Sequence, residues 1–179
     1  MIQGLLTNLR AVDRSDLDRI HVWLDDPELM RAWGYGAPSP SCANTAHRIE
    51  EWIADEQAWD HPVAFIVETL DGEPCGLLVL SRLSAIDRSC DLSLFLEPTC
   101  RGHGIGADAI EAIVDSAFTQ WNLHRLTVLS EAHNTAAHAF FARHGFQLEG
   151  RLRKARYLDG TWHDILIFGR LSPWERTNE

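Results

Sequence analysis

The stretch RGHGIGADAIEAIV, Arg101 to Val114, decides how the rest of the sequence is interpreted. Three glycines alternate with other residues, and an amphipathic run follows directly after them. Glycines let the backbone approach a phosphate closely, and the start of a helix offers unpaired N–H groups and a positive dipole end. Arg101 adds a cation at the loop entrance. The stretch therefore predicts a loop that binds a diphosphate, followed by a helix.

Two common phosphate-binding motifs fit this loop poorly. Residues 102–107 match the dinucleotide fingerprint G-x-G-x-x-A, but that motif belongs in a first βαβ unit with an acidic residue about 20 positions further on. Here a predicted hairpin precedes the loop, and His124 stands at about that distance. A mononucleotide P-loop is excluded more firmly, because the G-K-[ST] ending is missing.

Hydrophobic spacing and turn residues predict the elements around the loop. Before it we expect a strand at 5–10, a helix capped by Asp13, a loop at 34–40, a helix around Ile49, and strands at 63–67, 76–83 and 92–96 with a turn at 71–74. After it we expect a helix to about Trp121, a strand at 126–130, a helix at 136–144 ended by Gly145, and an extended pair with a turn at 158–160 and a strand at 165–168. This order predicts one mixed α/β domain.

Bulk composition narrows the class of protein. The chain has 179 residues, of which 45% are hydrophobic and 23% charged, as in an ordinary soluble globular domain. Its net charge of −10 disfavours nucleic-acid binding, which needs a basic surface. No apolar run reaches the roughly 18 residues of a membrane span, and we see no secretion signal. We therefore expect a cytoplasmic protein without a nucleic-acid or membrane partner.

Charge, cysteine and histidine placement add three expectations. Residues 1–60 hold eleven acidic and five basic side chains, a surplus that would attract a cationic substrate or serve solubility alone. Four cysteines form no CxxC pair, so we expect free thiols. His133, His138 and His144 are spaced five and six apart, which does not place them on one helical face, so we expect no metal site.

Three stretches together resemble a known family. R-G-H-G-I-G matches the R-x-x-G-x-G/A acetyl-CoA signature of the GCN5-related N-acetyltransferases (GNAT). LTVLSEAHNTAAHAFFARHGFQLEG, Leu126 to Gly150, resembles the next strand, asparagine and short helix of the ribosomal-protein-acetylating (RimJ/RimL-like) branch. RYLDGTWHD, Arg156 to Asp164, resembles the tail of that branch. The resemblance runs from about residue 5 to 171 and is specific through the order and spacing of the motifs.

The resemblance implies a fold and a reaction. The fold would be a single GNAT-like α/β domain over residues 1–179, with its core at about 5–171 and a tail at 172–179. It would have a mixed, mostly antiparallel central sheet with splayed strands and flanking helices. The reaction would be direct attack of a primary amine on acetyl-CoA, the co-substrate, without a metal. The partner would be an amine-bearing acceptor, and the chain would be a monomer or a homodimer.

The cofactor residues follow from the same resemblance. The loop N–H groups would bind the diphosphate, one strand would pair with pantetheine, and an N–H of Phe95 or Leu96 would polarise the thioester carbonyl. Asn134 would hydrogen-bond the pantetheine arm, act as a helix N-cap, or do both. The full set of expected cofactor residues is Leu94, Phe95, Leu96, Arg101, Gly102, His103, Gly104, Ile105, Gly106, Ala107, Asn134 and Phe141.

Catalytic groups are harder to assign, because the chain departs from the family at two positions. Asp91 stands where relatives often carry a glutamate, so it would take the ammonium proton through a water, or simply end a strand at the surface. The usual tyrosine acid is replaced by Phe141, and a serine used by some relatives is replaced by Ala137. The leaving thiolate would then be protonated by solvent or by His138.

For the acceptor we single out Trp33, Tyr35 and Arg156. The two aromatics lie in a glycine-containing loop suited to binding, although either could be a core residue. Arg156 stands in the basic run 151–156, which is either the solvated face of a strand or a contact with the acceptor or a partner subunit. The acceptor would be a protein N-terminal α-amine or a small-molecule amine. The competing hypothesis is an acyl-CoA-binding sensor or subunit with little catalysis.

Overall fold

A computed structural model describes residues 1–26, 30, 41–53, 62–158 and 160–173. The strands in these ranges are β1 (Ile2–Gln3), β2 (Thr7–Ala11), β3 (Val63–Thr69), β4 (Pro74–Ser84), β5 (Ser89–Leu96), β6 (Arg125–Glu131), β7 (Gln147–Leu158) and β8 (Thr161–Leu171). The helices are α1 (Leu17–Asp25), α2 (Cys42–Ile53), α3 (Ile105–Thr119) and α4 (Thr135–Arg143), with 3-10 turns at Arg14–Asp16 and Pro98–Cys100.

All eight described strands form one sheet in the order β1-β2-β3-β4-β5-β6-β8-β7. Neighbouring strands are antiparallel except β5 and β6, which are parallel and joined through α3. β5 and β6 pair only at residues 89–91 with 125–127, and the two strands then separate. The predicted mixed, mostly antiparallel sheet with splayed strands is thereby confirmed.

Each face of the sheet carries its own apolar core. On one face α3 packs its buried stripe, which includes Ile110 and Ile113, against Leu92 and Leu126. Side chains alternate along a strand, so Phe95 points to the opposite face, where its ring lies 5.6 Å from that of Trp23 on α1. The sheet is therefore covered on both sides, and the gap between β5 and β6 lies between the two helical layers.

Most of the predicted elements are confirmed within a few residues. The Asp13 carboxylate accepts from the Ser15 N–H as a cap, and Gly145 after α4 has φ of +76°, the left-handed conformation that glycine favours. β7 covers the stretch after Phe146 that was expected to be extended. The largest difference is β8, which spans Thr161–Leu171 and not only 165–168, because its first residues are exposed or half-buried and lack a continuous apolar run. The predicted loop at 34–40 lies outside the described residues.

Two facts bear on later experiments. No helix in the described ranges is long and apolar enough to cross a membrane. All four cysteines are free; Cys42 is exposed, whereas burial raises the pKa of the Cys90 thiol to about 12.

The close contact between β4 and the end of β5 is testable at Gly76. A Cβ added there would lie 2.1 Å from the Phe95 carbonyl oxygen, so either strand must move. We expect Gly76→Ala to lower the free energy of unfolding by about 3 kcal/mol, measured by urea denaturation. Gly150→Ala is the matched control, because its Cβ would make an ordinary 3.6 Å contact with Ile167. Equal effects of the two substitutions would contradict the assigned packing.

Candidate active site

A cavity of about 330 Å³ opens where β5 and β6 separate. Its walls come from the end of β5, the end of β6, the start and inner face of α4, and the arginine before the glycine loop. The lining residues are Leu92, Ser93, Leu94, Phe95, Leu96, Arg101, Val128, Leu129, Ser130, Asn134, Ala136, Ala137, Phe140 and Phe141. Six of the expected cofactor residues are thus brought to one cavity, and the two serines were not anticipated from the sequence.

The glycine loop lies beside this cavity and leads into α3. Gly102 and Gly104 have φ of +80° and +83°, which L side chains rarely adopt. The N–H of Asp108 bonds to the Gly104 carbonyl, but within the described ranges the N–H groups of residues 102–107 find no acceptor. These donors and the helix dipole make the loop suited to an anion.

Gly106 allows this loop to sit close to both walls of the cavity. A Cβ at this position would lie 3.0 Å from Leu96 Cδ1 and 3.6 Å from Phe140 Cζ. A side chain at this position would therefore crowd Leu96 and occupy space between the two walls. The Arg101 Nε–H donates to the Leu96 carbonyl at 3.0 Å, which turns the guanidinium back over the cavity.

The end of β5 presents free backbone groups to the cavity. The Glu97 N–H donates to the Cys75 carbonyl on β4 at 2.8 Å. Successive residues of an antiparallel pair turn their N–H and C=O groups to opposite sides, so Leu94 and Leu96 turn theirs away from β4 toward the gap. Of the two N–H groups expected to face the thioester, that of Leu96 has the required direction, and that of Phe95 faces β4.

Helix α4 supplies the opposite wall. Asn134 caps it, with its Oδ1 accepting from the Ala137 N–H at 3.1 Å, and it also lines the cavity, so the capping role does not remove it from the site. Phe141 is buried and packs edge-on against Phe146 at 5.4 Å while lining the cavity. Neither Phe141 nor Ala137 offers a proton to the cavity.

Asp91 lies at the last residue pair before β5 and β6 separate, opposite Thr127. Its side chain is on the same face of the sheet as Phe95, toward α1, and forms an ion pair with Arg82. It is next to the cavity but does not line it. This position allows contact with a reacting group through a water and leaves little room for direct contact.

His138 has a different environment. Its Nε2 lies 3.0 Å from the Glu131 carbonyl, an acceptor, so Nε2 carries the proton and donates it there. The ring also packs 5.3 Å from Phe168, on the face of α4 that does not line the cavity. The structure therefore does not bring His138 together with the other candidate residues.

Arg156 reaches a partner that sequence reasoning missed. Its Nη1 lies 3.4 Å from Oε1 of Glu131, whose side chain is only 5% exposed. The other oxygen of Glu131 lies 3.4 Å from His133. Residues 131 and 156 are 25 positions apart, and no sequence signal links them. Trp33 and Tyr35, the other two expected acceptor residues, lie outside the described residues.

The Glu131 pair belongs to a pattern on the face of the sheet that carries Asp91. Four carboxylates lie on this face around the gap, and each one is paired with an arginine. The pairs are Arg82–Asp91, Arg19–Glu97, Arg156–Glu131 and Arg125–Glu149. Asp18 and Asp25 on α1, which packs on the same face, are exposed and form no ion pair with an arginine among the described residues. The same ranges contain no group of three or more metal-ligating side chains.

Comparison with known proteins gives a consistent result. The family described as acetyltransferase (GNAT) domain matches residues 7–147. Over 174 residues the chain is 25% identical to a putative ribosomal N-acetyltransferase of Bacillus subtilis (strain 168), covering 93% of this chain and 92% of the relative. It is 27% identical over 157 residues to a spermidine N(1)-acetyltransferase of Vibrio cholerae serotype O1, covering 88% of each chain.

Comparison with solved structures gives the same family of enzymes. The chain is similar to a spermidine N-acetyltransferase from Vibrio cholerae in complex with CoA and spermine, with a TM-score of 0.85 and 26% identity. The similarity covers 93% of this chain and 95% of that one.

The Arg156–Glu131 pair generates a stability prediction. Arg156→Ala leaves a buried carboxylate without its cation, and we expect the free energy of unfolding to fall by about 3 kcal/mol. Adding Glu131→Gln removes the buried charge and should recover most of that loss in a double-mutant cycle. Arg153→Ala, in the exposed part of the same strand, is the control and should change stability by less than about 0.5 kcal/mol. A loss that persists in the double mutant would show that the pair does not stabilise the fold.

Proposed function

The chain belongs to the acetyltransferase (GNAT) domain family, and we propose that the cavity between β5 and β6 is where it transfers an acetyl group from acetyl-CoA to a primary amine. Membership of this family makes the protein an acetyl-CoA-dependent N-acetyltransferase. One observation carries the assignment of the site. The free backbone edge of β5 lines the cavity, and the glycine loop with its unpaired N–H groups lies directly beside it, with Gly106 close to the lining residues Leu96 and Phe140.

The glycine loop would hold the diphosphate of acetyl-CoA. Its N–H groups at residues 102–107 converge at the start of α3, where backbone dipoles favour a negative charge. The fit is supported by Gly106, since the space that a Cβ would fill lies between β5 and α4. Arg101 adds a charge-assisted donor at the cavity wall.

The cavity walls would hold the pantetheine arm and polarise the thioester. The outward N–H and C=O groups of Leu94 and the outward N–H of Leu96 offer the pairing that an added strand would use, whereas the Leu96 carbonyl already accepts from Arg101. Asn134 keeps its side-chain NH₂ as a donor, because capping uses only Oδ1. The Leu96 N–H would donate to the thioester oxygen as negative charge develops there.

Asp91 would accept the proton that the attacking ammonium loses. A free primary amine has a pKa of about 10, so it must be deprotonated before it can attack at neutral pH. Asp91 lies at the point where the strands separate, on the face toward α1, from which the acceptor would enter. The carboxylate next to the cavity supports a relay through one water.

Solvent would protonate the leaving thiolate. Phe141 and Ala137 have no proton to give, and the Nε2 proton of His138 is donated to the Glu131 carbonyl. The Ser93 and Ser130 hydroxyls line the cavity and could donate hydrogen bonds to the sulfur.

The acceptor would carry a single primary amine, as a protein N-terminal α-amine or a small amine does. All four carboxylates immediately around the gap are paired with arginines, which supports this choice over a polyamine, since a second ammonium group bound there would have to displace an arginine. Trp33 and Tyr35 remain candidates for contacting the rest of the acceptor.

Replacing Asp91 tests the proton relay. We expect Asp91→Asn to lower kcat about 100-fold while the Kd for acetyl-CoA, measured by calorimetry, stays the same. Asp71→Asn removes an exposed carboxylate on the β3–β4 turn and should leave kcat unchanged. An unchanged kcat in Asp91→Asn would remove Asp91 from the mechanism.

An acceptor panel tests the site and the acceptor together. Cys42 is exposed and would react with the reagent that detects released CoA, so we would use Cys42→Ser as the background. We expect peptides with a free N-terminus and single-amine amino-acid amides to be acetylated with a higher kcat/KM than spermidine, with the product identified by mass. A preference for spermidine would overturn the acceptor proposal. Binding of acetyl-CoA without turnover on any amine would instead favour the sensor hypothesis.

A further inference from the structure

The turn between β1 and β2 binds a carboxylate from α3. Asp108 accepts from the backbone N–H groups of Leu5, Leu6 and Thr7 at 2.8, 3.0 and 2.9 Å. The Thr7 hydroxyl donates to the same carboxylate at 2.7 Å. Three successive N–H groups that converge on one anion form a backbone nest, and the anion here is part of the chain itself.

The contact is close and extends to the glycine loop. A Cβ on Gly4 would lie 2.1 Å from Asp108 Oδ2, so only glycine allows this approach. Thr7 is completely buried beneath the contact. The Leu6 side chain lies 3.2 Å from where a Cβ on Gly104 would be, so the turn touches the loop as well as the helix.

The charge of Asp108 makes this arrangement unexpected at an anion site. Asp108 lies in the first turn of α3, whose N–H groups would bind the diphosphate. The positive end of the helix dipole favours a carboxylate there, but its negative charge would repel a diphosphate bound to the same helix end. Burial alone would raise the pKa of Asp108, but the hydrogen bonds from Thr7, Leu6 and Leu5 outweigh it and hold the pKa below its usual value. The carboxylate therefore stays ionised, with both of its oxygens bound by the turn.

We propose that Asp108 is a positioning residue of the acetyl-CoA site, which fixes the start of α3 and the glycine loop by anchoring them to the turn at residues 4–7. Two of the four hydrogen bonds come from Thr7, the first residue of β2, and two come from the turn that leads into it, so together they join the loop's helix to a strand of the central sheet. The proposal rests on the proposed function of the glycine loop.

Asp108→Asn distinguishes positioning from a charge effect, because the two predict opposite signs. Loss of a negative charge near the diphosphate would tighten acetyl-CoA binding. Loss of the anchor would weaken it. We expect the KM and the calorimetric Kd for acetyl-CoA to rise about tenfold, with kcat and the acceptor KM changed by less than about twofold. Thr7→Val, which removes only the hydroxyl donor, should act in the same direction by a smaller factor.

Asp16→Asn is the matched control. Asp16 is also buried, also caps a turn, and binds Arg10 at 2.8 Å near the far end of β2, away from the glycine loop. We expect it to lower the thermal stability measured by circular dichroism and to leave the KM for acetyl-CoA unchanged. Kinetics would be run below the melting temperature of every variant, and Thr7→Val carries the test if Asp108→Asn does not fold.

The experiments distinguish failure of the positioning role of Asp108 from failure of the proposed acetyl-CoA site. If the unaltered protein binds no acetyl-CoA in calorimetry, the function of the glycine loop fails and the role of Asp108 fails with it. If the unaltered protein binds but Asp108→Asn and Thr7→Val leave the Kd unchanged or lower it, only the positioning role is overturned.

Discussion

The early end of the β5–β6 pairing is the constraint on which the rest of the structure depends. These strands share three residue pairs, and beyond Asp91 and Thr127 each presents unpaired backbone groups to a gap. Buried N–H and C=O groups without partners are costly, so a sheet that separates here needs another molecule or water to complete it. The gap persists because both strands stay paired on their outer sides, β5 with β4 and β6 with β8.

One apolar cluster keeps the two halves of the sheet in register despite the gap. Leu92 on β5 and Leu126 on β6 belong to the same buried cluster as Ile110 on α3, so that helix bridges the strands it connects. The helix also begins at the glycine loop. The packing of this helix against the sheet therefore also determines where the loop lies. Hydrogen bonds from Thr7 at the start of β2 to Asp108 hold the same helix end in place.

How much the sequence predicts depends on the range of the interaction. Asp13, Gly145 and the glycine loop act within a few residues, and their local patterns predicted the cap, the helix end and the loop conformation. The pair Arg156–Glu131 forms between distant segments, and Asp108 is held by backbone N–H groups, which carry no side-chain signal. From the sequence Asp108 is only an acidic residue in a first helical turn.

The site binds an anion on a protein whose net charge is negative, and the difference between long-range and contact electrostatics explains how. A chain with net charge −10 repels an anionic cofactor at long range, and the only cation in the stretch 101–107, apart from a titratable histidine, is Arg101. Long-range repulsion is screened within about 10 Å at ordinary salt, whereas backbone donors act at contact distance. Binding an anion through peptide dipoles therefore works on an acidic surface where a cluster of lysines is absent. On the opposite face each of the four carboxylates around the gap is paired with an arginine, so the charges nearest to the amine acceptor are balanced locally.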